Sequence, residues 1–118
     1  MEEGRKENLP VPPTDIEAEK AVLGAMLKSQ DARADVTGIL GPEDFYMKEH
    51  QEIYRTMIEM DRKGVGVDIK TVYSALKQRK TADKVGGISY LSKLSDEAIV
   101  VSNAKYYAES VDDKSKMR

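Results

Sequence analysis

Cysteine and tryptophan are absent from these 118 residues, and phenylalanine and histidine occur once each, as Phe45 and His50. Without cysteine there is no disulfide, no thiolate metal site and no thiol nucleophile, and the compartment expected is the cytoplasm. A lone histidine cannot make a paired-histidine metal motif. No apolar run approaches the roughly 18 residues that span a bilayer. The opening MEEGRKENLPVPP lacks the apolar core of a secretory signal. There is no basic excess either. Lys+Arg total 19 against 21 Asp+Glu, for a net charge of -2, whereas holding DNA by phosphate neutralisation calls for a basic stripe. The short basic clusters (Arg62-Lys63, and Lys77, Arg79, Lys80, Lys84) alternate with acids or fall at helix ends, as on a solvated face.

Catalytic motifs are missing in the same way. No Gly-Lys pair exists, so no phosphate-cradling P-loop can form. Gly64-Val65-Gly66 lacks a third glycine and follows a helical stretch, so it reads as a turn. No serine sits in a G-x-S-x-G elbow. The acidic pairs Glu17/Glu19, Glu43/Asp44 and Asp112/Asp113 fall in helix first turns or on polar faces, where dipole and solvation account for them. The sequence offers no catalytic set, no cofactor motif and no metal site.

What is present is helical periodicity. The composition, 40% apolar and 34% charged, fits one globular domain with a small core. Residues 1–13, charged and then proline-rich, read as a flexible arm. Thr14 and Glu17 have the spacing of a capping box, and the stretch after them, apolar on nearly all sides from Ala21 to Leu27, predicts a central buried helix. Gly24 within it predicts close approach of a neighbouring helix. A short helix is expected over Ala32–Leu40 and a helical turn over Pro42–Tyr46. From Lys48 to Asp61 the residues His50, Ile53, Tyr54, Met57 and Ile58 form one stripe of helical period, which Gly64 closes. Asp68 caps a further helix bearing Ile69, Val72, Tyr73 and Leu76. Gly86-Gly87 breaks the chain before a short helix over Ile88–Leu94, with a loop expected over Ser95–Val101. Ser102 or Asn103 opens a last helix with Ala104, Tyr107, Ala108 and Val111 inward. Five or six helices with short links predict an all-α bundle.

Five blocks, in order, resemble a known family. Ile16-Glu17-Ala18-Glu19 with Ala21-Val22-Leu23-Gly24 is similar to the opening of the N-terminal domain of DnaB-type bacterial replicative helicases. So are Pro42-Glu43-Asp44-Phe45-Tyr46 with His50 and Ile53, and Val67-Asp68-Ile69 with Thr71, Val72 and Leu76. Gly86-Gly87 with Tyr90, Leu91 and Leu94, then Asn103 with Tyr106-Tyr107-Ala108 and Val111, complete the series. In place of the proline that the family usually has before its last helix, this chain has Asp96 to Val101. Most matching residues have a plain core reading, notably Ala18, Ala21, Leu23, Phe45, Ile53, Val72, Leu91 and Tyr107.

The resemblance implies a non-enzymatic interaction module, the collar of a hexameric helicase built as a trimer of dimers. Its implied partners are the helicase-binding domain of primase, other helicase subunits and helicase loaders, with little direct DNA binding and no membrane. ATP and magnesium would belong to a motor domain absent from these residues. On this reading residues 14–101 form a helical head, and 102–118 begin a dimerisation hairpin or linker that is truncated here. Glu17 and Tyr90 match positions on the primase-contacting surface, with Tyr90 expected to present its ring outward. The alternative is a free-standing helical nucleic-acid-binding domain, which would show salt-dependent DNA affinity.

Overall fold

A computed structural model describes residues 12–98 and 101–118. The expected N-terminal arm falls, apart from its last two residues, outside them, as does part of the Ala98–Val101 run. Six α-helices and two 3-10 turns make up the described residues, with no strand among them: α1 Ile16–Lys28, α2 Gln30–Thr37, α3 Lys48–Arg62, α4 Ile69–Gln78, α5 Gly87–Glu97 and α6 Ala104–Met117. The 3-10 turns, Pro42–Asp44 and Val101–Asn103, precede α3 and α6. The all-α fold expected from the period is the one observed.

α1 is the centre. Ala18, Val22, Leu23, Ala25, Met26 and Leu27 are all buried, together with Glu19. Its cap is Asp15, whose side chain accepts from the Ala18 amide, and not Thr14 as the spacing predicts. Ser29 then ends α1 in extended conformation and caps α2 through the Ala32 amide, so the two helices are joined by one residue. α2 accordingly starts and stops earlier than predicted. Arg33 of α2 is buried; it donates to the Met26 carbonyl at 2.8 Å and to Asp61 of α3.

α3 carries the predicted stripe: His50, Ile53, Tyr54 and Met57 are fully buried. Tyr54 donates to the Leu40 carbonyl at 2.6 Å, and burial raises its phenol pKa. Gly64 takes φ +73, as a helix-ending glycine does. Asp68 and Thr71 cap α4 reciprocally, amide to side chain in both directions, and the Thr71 amide holds the Asp68 carboxyl below its usual pKa. α5 runs three residues beyond its predicted end, into the segment expected to be a loop.

Close packing of α5 on α1 rests on Gly24: a Cβ there would lie 2.1 Å from the Leu94 carbonyl oxygen and 2.7 Å from the Ala98 Cβ. α6 buries Ala104, Ala108 and Val111 in the same core, with Tyr107 partly covered. It runs antiparallel to α1. Ser110 donates to Asp15 at 2.6 Å, and Arg118 donates to the carbonyls of Pro13 and Asp44.

Candidate partner-binding face

Glu17 lies in the first turn of α1, one residue from the wall that α1 buries. Its side chain is 85% exposed and, among the described residues, its one ion pair is with Lys20, at 3.6 Å. Beside it is a hollow of about 260 Å³ lined by Asp15, Lys20, Glu97 and Tyr107. Exposed pairs of this type contribute little to stability, about 0–1 kcal/mol.

Tyr90 occupies the first turn of α5, where Gly86 (φ +102) and Gly87 (φ +69) turn the chain into the helix. Gly86 sits directly beneath it: a Cβ there would come within 2.7 Å of the Tyr90 Cβ. The Tyr90 ring does not stand free as expected. It is half-buried, lies parallel to the His50 imidazole with centroids 5.9 Å apart, and its hydroxyl meets His50 Nε2 at 2.6 Å. Burial, followed by the carboxylates of Glu49, Glu19, Glu97 and Glu17, pushes its phenol pKa up to about 12. No hydrogen bond joins Glu17 to Tyr90 among the described residues.

Behind Tyr90 is a chain of groups that crosses three helices. His50 Nδ1 meets Glu19 Oε1 at 2.7 Å, and Glu19 Oε2 accepts from the Tyr46 amide at 2.7 Å. Glu19 and His50 are 1% and 0% exposed. Both are fully partnered, which is the condition for keeping such groups inside a core. Deleting one partner would leave the other buried and unsatisfied, which typically costs about 1–3 kcal/mol.

Glu19 was the residue missed by sequence reasoning, which singled out its neighbour. The signal was there: Glu19, Val22, Leu23 and Met26 stand at i, i+3, i+4 and i+7, so an acid lies in the apolar stripe of the central helix. Its partner had to come from elsewhere, and the only histidine lies in the α3 stripe.

Away from this face, a groove of about 400 Å³ runs between α3 and α4 past Thr56, Glu59, Met60, Lys63 and Arg79. Its charges pair with one another, Arg79 with Glu52 and Glu59, and Lys63 with Glu59. It holds no buried titratable side chain of the Glu19–His50 type. No group of three His, Asp or Glu side chains among the described residues is placed to hold a metal ion, and no helix among them is long and apolar enough to cross a membrane.

Residues 11–113 match the family described as the DnaB-like helicase N terminal domain. Among similar proteins are the replicative DNA helicase DnaB of Geobacillus stearothermophilus, 42% identical over 108 residues, and the replicative DNA helicase DnaC of Bacillus subtilis (strain 168), 41% identical over 108. Each alignment covers 92% of this chain but 24% of the relative, so the chain spans about a quarter of the length of these curated relatives. The fold is similar to the crystal structure of the N-terminal domain of DnaB helicase from Mycobacterium tuberculosis, with TM-score 0.90 and 40% identity, over 92% of this chain and 78% of that one.

Proposed function

Because this chain belongs to the family of DnaB-like helicase N-terminal domains, we propose that it is a collar module that docks the helicase-binding domain of primase. In this reading it carries no catalysis. It contributes to a hexamer arranged as a trimer of dimers, contacts helicase loaders, and works in the cytoplasm. ATP and magnesium belong to a motor domain elsewhere in the parent helicase. The supporting observation is the placement of Glu17 and Tyr90: Glu17 is exposed at the head of α1, and Tyr90, held against His50, stays partly exposed in the first turn of α5. A free-standing nucleic-acid-binding domain is the weaker reading, since the chain has a net charge of -2 and its basic side chains are interleaved with carboxylates.

The test is an amide chemical-shift titration of the labelled domain with the C-terminal domain of the cognate primase, repeated with single-stranded DNA. Shifts clustered around Glu17 and Tyr90 are expected with the protein and none with DNA at physiological salt. Saturating primase domain without shifts on this face would remove the docking role, and sub-micromolar DNA affinity would favour the nucleic-acid reading.

A further inference from the structure

The docking reading leaves two side chains unexplained. Glu19 and His50 are wholly buried and touch no partner, yet an apolar pair would fill the same space without desolvating polar groups. Their hydrogen bonds converge on Tyr90. A carboxylate only accepts. Glu19 takes the Tyr46 amide on Oε2 and His50 on Oε1, so Nδ1 is the nitrogen that carries a proton. In the neutral imidazole Nε2 is then a bare lone pair, and the Tyr90 hydroxyl at 2.6 Å donates to it. That hydroxyl has one proton. With it directed into the domain, the oxygen presents only acceptor capacity to the outside.

Resting on the docking reading, we infer that Glu19 and His50 are positioning residues for the partner face: they orient the Tyr90 hydroxyl so that a docked partner meets a hydrogen-bond acceptor there. The partner group this fits is a donor, a backbone or side-chain N–H, and a group able only to accept is disfavoured. The rest of the geometry serves the same end. The imidazole meets the phenol oxygen end-on with the two ring planes nearly parallel, and the absent side chain at Gly86 leaves room for the Tyr90 Cβ. The sequence from Glu19 to His50 to Tyr90 joins α1, α3 and α5, so a disturbance in the core reaches the surface as a change in one hydroxyl.

Tyr90→Phe keeps the ring and deletes the hydroxyl. His50→Asn keeps an amide able to donate to Glu19 but is too short to reach Tyr90, whereas His50→Gln can reach Tyr90 and accept its proton. The experiment is a double-mutant cycle on affinity for the primase C-terminal domain, with melting curves run alongside. Loss of one neutral hydrogen bond corresponds to about three- to tenfold in affinity. H50N is expected to weaken binding by about that factor when Tyr90 is intact and to have no effect in the Y90F background, while H50Q retains more affinity than H50N. Equal losses in both backgrounds would make His50 a packing residue and overturn the inference.

A second measurement does not depend on any variant at His50 folding. The protein has one histidine, so a long-range proton–nitrogen spectrum reports a single imidazole. The Nδ1–H tautomer is expected, with the Nε2 resonance moving in Y90F and Nδ1 holding still. An Nε2 resonance indifferent to Y90F would refute the positioning role even where docking stands. Conversely, a tautomer spectrum as expected with no primase binding by the wild type would remove the docking reading and leave Tyr90 held as described.

Discussion

Two acids two positions apart have opposite fates in this protein. Glu17 faces solvent at the head of α1, while Glu19 lies under the core and is satisfied by His50 and the Tyr46 amide. Tyr90 stands between the two conditions, and its alkaline behaviour follows. Its phenol pKa is pushed up to about 12 in the folded protein, while the unfolded chain releases that proton near the ordinary value of about 10. A raised folded value means a contribution to stability fully present below about pH 10 and lost as the pH rises toward about 12. Wild type is therefore expected to lose stability relative to Y90F as the pH rises across that window, because the folded state disfavours the phenolate. Urea unfolding at a series of pH values measures it, and a constant gap would contradict the burial of the hydroxyl. The face itself was half legible. Glu17 and Tyr90 could be placed by resemblance, but the groups behind Tyr90 needed long-range contacts, between residues 31 and 40 positions apart, that no local pattern records.

Among the helices, α3 and α4 were legible because their apolar positions repeat at one period and their ends carry Gly64 and Asp68. α1 was legible as the central helix, but its cap was misplaced by one residue. Thr14 has the better local spacing, but Asp15 is the cap, and Ser110, 95 positions away, donates to its second oxygen. α5 outlasts its predicted end for a related reason. Its last turn lies over Gly24, and Lys28 of α1 donates to the Ala98 carbonyl at 2.9 Å. Gly24→Ala tests this contact. Alanine improves helix propensity by up to about 1 kcal/mol, but its methyl would meet a backbone carbonyl that has nowhere to go, and overpacking costs about 1–3 kcal/mol or more. Net destabilisation is expected, measured by circular dichroism in urea. An unchanged or higher midpoint would mean that α5 can shift away without loss.

At the scale of the whole molecule, the family was readable from five ordered blocks, since each block fixes a cap, a turn or a core face that this fold requires. The partner was named only by that resemblance, because the core decides most of the sequence and only a few exposed side chains speak of binding. One long-range arrangement also sets how the domain answers tension. α1 and α6 lie antiparallel, and the contacts of Ser110 with Asp15 and of Arg118 with Pro13 bring residues 13 and 118 to the same edge. A pull between those two points loads the α1–α6 seam one turn at a time, like a zipper, so few bonds bear the load at any moment. A pull between residues 28 and 118 slides the same two helices past each other and loads the whole seam together. Single-molecule stretching is expected to open the first geometry at the lower force; equal forces would show that the seam is not what holds the ends together. Seen this way, the domain is compliant along the edge that holds residues 13 and 118, and stiff along the axis of its central helix.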